Sequence, residues 1–195
     1  MTRAWQRMLS GRRLDLLDPS PLDIEIEDIA HGLARVARWN GQTEGDNAFS
    51  VAQHSVLVEA IFSHQQKSAS PKTKLVCLLH DAAEYVIGDM ISPFKAALGG
   101  DYKVIELRIM GAVHLRFDLS SALNANVECE IKQADQVAAY LEATQLAGFD
   151  HTEAGELFGR PRGLAGAGFK QFLSLQPLKP IQAAASFLQR FEALI

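Results

Sequence analysis

The stretch Leu78-Leu79-His80-Asp81-Ala82-Ala83-Glu84-Tyr85-Val86-Ile87-Gly88-Asp89 sets a histidine beside an aspartate inside an apolar run, and two further carboxylates follow within a few residues. Charge in an apolar setting is costly unless something compensates it. A divalent cation does so well, because imidazole nitrogen and carboxylate oxygen are ligands that first-row ions favour. The remainder of the chain is then scaffold that carries a few distant residues to this segment.

Working outward, Pro71 suits a first helical turn and Gly88 a helix end, so a central helix is expected from Lys72 to Val86. Upstream, Ser50 fits an N-cap for a helix from Val51 to Gln66 that carries His54 in its first turns. Before it, Ile26, Ile29, Ala30, Leu33, Val36 and Ala37 recur at three- and four-residue steps and predict a helix over Ile24–Trp39. The polar, glycine-containing stretch Asn40–Asn47 ends it. Downstream the pattern predicts a short helix over Pro93–Leu98, an amphipathic one over Asp101–Phe117, and a long one over Asn126–Leu146 with Asp135 inside its apolar stripe. Gly155–Gly168 reads as a loop and Ile181–Leu194 as a closing helix. Residues 1–23 are irregular, with a brief strand or strand pair at Leu14–Leu17. No alternating strand series, repeat or second hydrophobic block is present, so the expected fold is all-α. A single domain is expected over 1–195, with its core at about 24–146 and 150–195 packed upon it.

Composition narrows the function. The 195 residues are 48% hydrophobic and 22% charged, ordinary for a globular chain. A net charge of −4 gives no electrostatic footprint for nucleic acid. Cys77 and Cys129 form no CxxC pair and read as buried, reduced thiols. No apolar run reaches membrane-spanning length and the N-terminus lacks the core of a signal peptide, so no membrane association and a cytoplasmic location are expected.

Four residues stand out as metal ligands: His54, His80, Asp81 and Asp135 each fall on a predicted helix beside apolar neighbours. Two imidazoles and two carboxylates leave positions open for water and a substrate oxygen. Such an ion lowers the pKa of bound water from ~16 towards ~7 and polarises a phosphoryl oxygen, which suits phosphate-ester hydrolysis. Glu84, four residues after His80, shares its helical face and is placed to manage the water's proton. Asp89, past the glycine, is placed to orient that water or a substrate hydroxyl. His31 reads as a core histidine or a partner of a ligand, and Arg160 and Arg162 as solvated charge in a loop.

The ordered pattern H…HD…D, here His54, His80-Asp81 and Asp135, resembles that of the HD-domain phosphohydrolases. Arg38-Trp39 upstream, then His80-Asp81-Ala82-Ala83-Glu84, Gly88-Asp89, Pro93 and Lys95, is similar to the bacterial 5′-deoxynucleotidase branch over about residues 30–146. The block around Gly11–Leu17 and the stretch Asp28–His31 look more like a phage- and prophage-associated subgroup. The resemblance implies a helical bundle around one divalent ion, commonly cobalt or manganese, with magnesium, zinc, nickel and iron as other occupants. It implies hydrolysis of deoxynucleoside 5′-monophosphates, Glu84 as catalytic carboxylate assisted by Asp89, and Arg38 and Trp39 as nucleotide contacts. Lys95 is read evenly as a phosphate contact or a solvated side chain. Related bundles often pair, so a homodimer is expected, with a small nucleotide as the other partner. The alternatives are a nucleotide di- or triphosphate or another phosphate ester as substrate, or a nucleotide-binding sensor or phage-related module with incidental turnover.

Overall fold

The computed structural model describes residues 4–91, 94, 100–120, 123–161, 172 and 174–195. It is mostly helical, with a small antiparallel hairpin of β1 (Trp5–Arg7) and β2 (Arg13–Asp15) in which Gln6 faces Leu14. Leu14 is fully buried and pins the hairpin to the core. The expected strand pair is therefore present, displaced a few residues towards the N-terminus.

The first helix, α1 (Ile26–Leu33), is shorter than the apolar periodicity predicts. Beyond it the backbone turns outward and pairs with the segment before the next helix. Arg38 N–H donates to the Phe49 carbonyl at 2.8 Å, and Val51 N–H to the Val36 carbonyl at 3.0 Å. Val36 and Ala37 thus belong to an extended crossing rather than a helical face, a tertiary pairing that overrides local propensity. A 3₁₀ turn over Arg38–Gly41 follows, in which Trp39 and Asn40 adopt left-handed backbone angles, φ 56° and 50°. Such angles cost of order 1–3 kcal/mol for a non-glycine residue and persist only where neighbours impose them.

Helix α2 (Val51–Gln65) begins as its sequence predicts: Ser50 Oγ accepts from Gln53 N–H. Helix α3 (Pro71–Leu78) likewise starts on a Ser70 cap with Pro71 in its first turn. It ends at Leu78, so the single helix expected to Val86 is broken. The amides of Ala82, Glu84, Tyr85 and Val86 donate to carbonyls three residues back, for example Glu84 N–H to Asp81 at 3.0 Å, while Ala83 N–H turns to Met110 Sδ at 3.3 Å. The tighter winding repeats every three residues and passes into the single turn α4 (Glu84–Ile87). Gly88, at φ 79°, takes the left-handed position that closes it.

Four more helices complete the described fold: α5 (Gly100–Arg116), α6 (Ala125–Gln145), α7 (His151–Phe158) and α8 (Pro180–Glu192). Helix α7 occupies the start of the stretch expected to be a loop from Gly155, because Asp150 caps it by accepting from the amides of Thr152 and Glu153. The short helix expected over Pro93–Leu98 and the loop beyond Pro161 lie largely outside the described residues. Helix α2 is central, flanked by α3, α6 and α8, while α1 packs on α4 and α8. Gly32 permits the close approach of α1 to α4, since a Cβ there would lie 2.8 Å from Tyr85 Cβ and O. One connected apolar cluster runs from Met8 to Leu194. Cys77 is buried within it, but Cys129 is exposed on the outer face of α6, contrary to the sequence expectation. Among the described residues no helix is long and apolar enough to cross a membrane.

Candidate metal centre

The break between α3 and α4 is the local feature that builds the site. It presents His80 and Asp81 towards the first turn of α2, where His54 is completely buried. His54, His80 and Asp81 each offer a ligand atom within 4.8 Å of the other two, forming a possible metal-binding triad. Asp81 Oδ2 stands 3.2 Å from His80 Nε2 and 3.6 Å from His54 Nε2, and the two rings are 5.4 Å apart. Asp135, on α6, brings Oδ1 to 3.1 Å from His54 Nε2.

The inner ring nitrogens decide what the outer ones can do. His80 Nδ1 lies 2.9 Å from the Cys77 carbonyl, which can only accept, so Nδ1 carries the hydrogen. His54 Nδ1 lies 2.6 Å from Glu142 Oε1, a second acceptor. In both neutral rings the unprotonated nitrogen is therefore Nε2, the form in which imidazole ligates a cation. Both Nε2 atoms are buried without an aligned hydrogen-bond partner, although carboxylate oxygens stand close by. That is the donor set a divalent cation fits.

The electrostatics agree. Burial and the Arg38 charge push the His54 pKa down, but Glu142 and Asp135 outweigh them and raise it to about 10. His80 moves upward too: burial lowers it, and the adjacent Asp81 more than offsets this. Asp81 resists its burial through His80, His54 and Arg38, and is held well below the usual carboxylate range. Asp135 is lowered as well, burial being overcome chiefly by His54. The site holds a strong negative potential that asks for positive charge, as proton or as cation.

Glu142 was not singled out by the sequence pattern. It is fully buried on α6 and serves three groups: His54 at Oε1, Trp39 Nε1 at 2.9 Å and Arg38 Nε at 3.5 Å on Oε2. The available signal was its spacing, seven residues after Asp135, which puts both carboxylates on one helical face two turns apart. Arg38 also donates from Nη1 to Asp89 Oδ2 at 2.8 Å. Asp89 thus reaches the site as the partner of Arg38. The Trp39 indole packs in a triangle with Phe149 and Phe158, each 5.6 Å from it and 6.1 Å from one another, which together with Glu142 explains its left-handed backbone.

Glu84 is 1% exposed, so it is no surface carboxylate, and it opens α4 three residues after Asp81. Lys95 lies outside the described residues. His31 is half-buried beside Glu27 and Asp28 in a separate hollow and supports no ligand. Arg160 lines a cavity with Gln133, Gln136 and Phe158, its side chain lying over Gly155.

No family model matches the chain. An uncharacterized protein of Rhodobacter capsulatus is 54% identical to it over 200 residues, spanning all of this chain and 97% of that protein. The chain belongs to the same family as that protein.

Proposed function

We propose that the chain is a metal-dependent phosphohydrolase of the HD superfamily, acting on nucleoside 5′-monophosphates with a preference for the deoxy sugar. The observation that carries this reading is the pair of histidines whose inner nitrogens are fixed by acceptors and whose buried outer nitrogens turn, unbonded, towards Asp81. The ordered H…HD…D resemblance supports the same reading. His54, His80 and Asp81 would hold the ion, with Asp135 as fourth ligand; cobalt or manganese are favoured by the resemblance, and magnesium, zinc, nickel or iron suit the same donors. When bound, the ion supplies Lewis-acid polarisation of a phosphoryl oxygen and a more acidic water.

The chain's own residues supply the rest. Glu84, buried beside the ligand turn, takes the proton of the attacking water and returns it to the leaving sugar oxygen. Arg38 is held rigid by Asp89 and Glu142, which orients its planar fork and offers Nη2 to a phosphate or sugar oxygen. Trp39, held against two phenylalanines and bonded to Glu142, presents a fixed wall against which a 2′-hydroxyl would be crowded.

The test is phosphate release from deoxy- and ribonucleoside monophosphates, with metal-stripped protein resupplied with one ion at a time. Release from the deoxy series alone is expected, and Glu84→Gln should abolish it while leaving metal content unchanged. Full turnover in that variant removes Glu84 from proton transfer. No release from any monophosphate by metal-loaded protein overturns the proposed substrate and directs the assay to di- and triphosphates.

A further inference from the structure

The metal triad and the Arg38-Trp39 edge meet at one side chain. Glu142 uses Oε1 for His54 Nδ1 at 2.6 Å and Oε2 for Trp39 Nε1 at 2.9 Å, with Arg38 Nε at 3.5 Å from the same Oε2. All of its partners are donors, and the carboxylate is fully buried, so no water can stand in for either oxygen. We infer that Glu142 is a positioning residue that couples the two halves of the site, fixing the His54 tautomer that ligates the cation and, through its other oxygen, the indole and guanidinium that meet the nucleotide. This rests on the metal-dependent reading above and adds the link between ion and substrate recognition.

The chemistry of the group makes the inference sharp. A glutamine has the same shape but only one acceptor oxygen; its other terminus is a donor. If the amide nitrogen faces His54, Nδ1 must become the acceptor, the hydrogen moves to Nε2, and the ligand lone pair is lost. If the amide nitrogen faces Trp39 instead, it meets two donors head-on and the Arg38-Trp39 edge must shift. Neither orientation satisfies both ends. A residue that merely filled space would tolerate the change.

The experiment is a cobalt titration of metal-stripped protein, followed by cobalt absorbance and by emission of Trp39 as sole tryptophan in a Trp5→Phe background. The unmodified site should bind one cobalt with a parallel change in Trp39 emission. Glu142→Gln should weaken cobalt by about 10–100-fold, the usual effect of removing an outer partner of a ligating histidine, and should uncouple the emission change. Trp39→Phe keeps the carboxylate and the aromatic packing but removes one donor from Oε2. The more basic carboxylate then polarises His54 further, and cobalt absorbance should report binding a few-fold tighter. Glu142→Gln with unchanged cobalt affinity and an unchanged emission response overturns the coupling and leaves the metal site standing. Should Glu142→Gln not fold, Trp39→Phe with unaltered cobalt affinity overturns it equally. Absence of cobalt binding in the starting protein overturns the metal reading, and the coupling with it.

Discussion

Helix α2, which carries His54, is clamped on its far side by an ion pair whose removal has a calculable effect. Glu59 is 1% exposed, and Arg190 of α8 grips it in bidentate fashion, Nε to Oε2 at 2.5 Å and Nη2 to Oε1 at 2.8 Å. Ser63 Oγ donates to the same carboxylate from one turn along α2. Arg190→Ala would leave Glu59 buried with only the serine. Breaking a buried pair from one side costs about 3–5 kcal/mol, most of it the penalty of the stranded charge. Arg190 is itself 34% exposed, so water can enter where its side chain stood and hydrate part of that charge. The expectation falls to about 2–3 kcal/mol. For a chain of this length that lowers Tm by about 4–12 °C. Urea unfolding of Arg190→Ala measures it directly. A Glu59→Leu, Arg190→Leu double variant should recover most of the loss, because an apolar pair of similar volume replaces a buried ion pair at little cost. Metal content should survive in both, since the first turn of α2 is anchored separately by the Ser50 cap. A loss below about 1 kcal/mol, or no recovery in the double variant, would refute the reasoning from a stranded charge.

Gly32→Ala should destabilise by about 1–3 kcal/mol through overpacking, since its Cβ would meet Tyr85 backbone and Cβ at 2.8 Å. Because Tyr85 follows Glu84, turnover should fall more than cobalt affinity; equal stability by urea unfolding would contradict the packing. The metal-free protein should lose stability as pH rises. His54 titrates at about 10 when folded against 6.5 when free, so its contribution is complete below 6.5 and gone above 10. Thermal melts across that range should show the decline in metal-free protein and little of it when cobalt is bound, whereas a flat profile without metal would refute the raised pKa. Cobalt must also displace that proton, so calorimetry in buffers of different ionisation enthalpy should detect proton release on binding at neutral pH.

Much of this was legible in the sequence because it is local. Ser50 is a cap in fact as in pattern, since a hydroxyl before a helical run has an orphan amide to donate to it, and Pro71 opens α3 as its fixed φ suits. The meeting of His54 with His80-Asp81 was legible for a different reason: charge in apolar surroundings demands a partner, and the ordered H…HD…D resemblance said which one. What escaped is what tertiary contact decides. Nothing in Leu79–Ala83 marks a helix break; no glycine or proline stands there, and the tighter winding shows only in its hydrogen bonds. The extended Val36–Ala37 crossing looked helical because its periodicity does not reveal that Phe49–Val51 lies alongside. Glu142 is locally indistinguishable from a surface glutamate on a long helix, and its role depends on a histidine 88 positions away. Cys129 fails in the opposite sense, an apolar residue type placed on the outward face of α6.

The balance of charge is the strongest reason to read the site through a cation. Asp81, Asp135, Glu142 and Asp89 are linked by contacts of 3.6 Å or less to His54, His80 and Arg38, and Arg38 is the only fixed positive charge in that set. With neutral imidazoles, four carboxylates face one guanidinium. A phosphate dianion would be repelled from such a cluster, whatever donors Arg38 could spare. Protonating both histidines would ease the repulsion, but it would remove the two lone pairs that the Cys77 carbonyl and Glu142 have oriented inward. A divalent ion relieves the same excess without that loss, because it uses those lone pairs. The geometry that orients Nε2 and the potential that needs neutralising therefore have one solution in common. On the proposed reading, Arg38 bound to Asp89 would then be an oriented donor towards an anion drawn in by the ion.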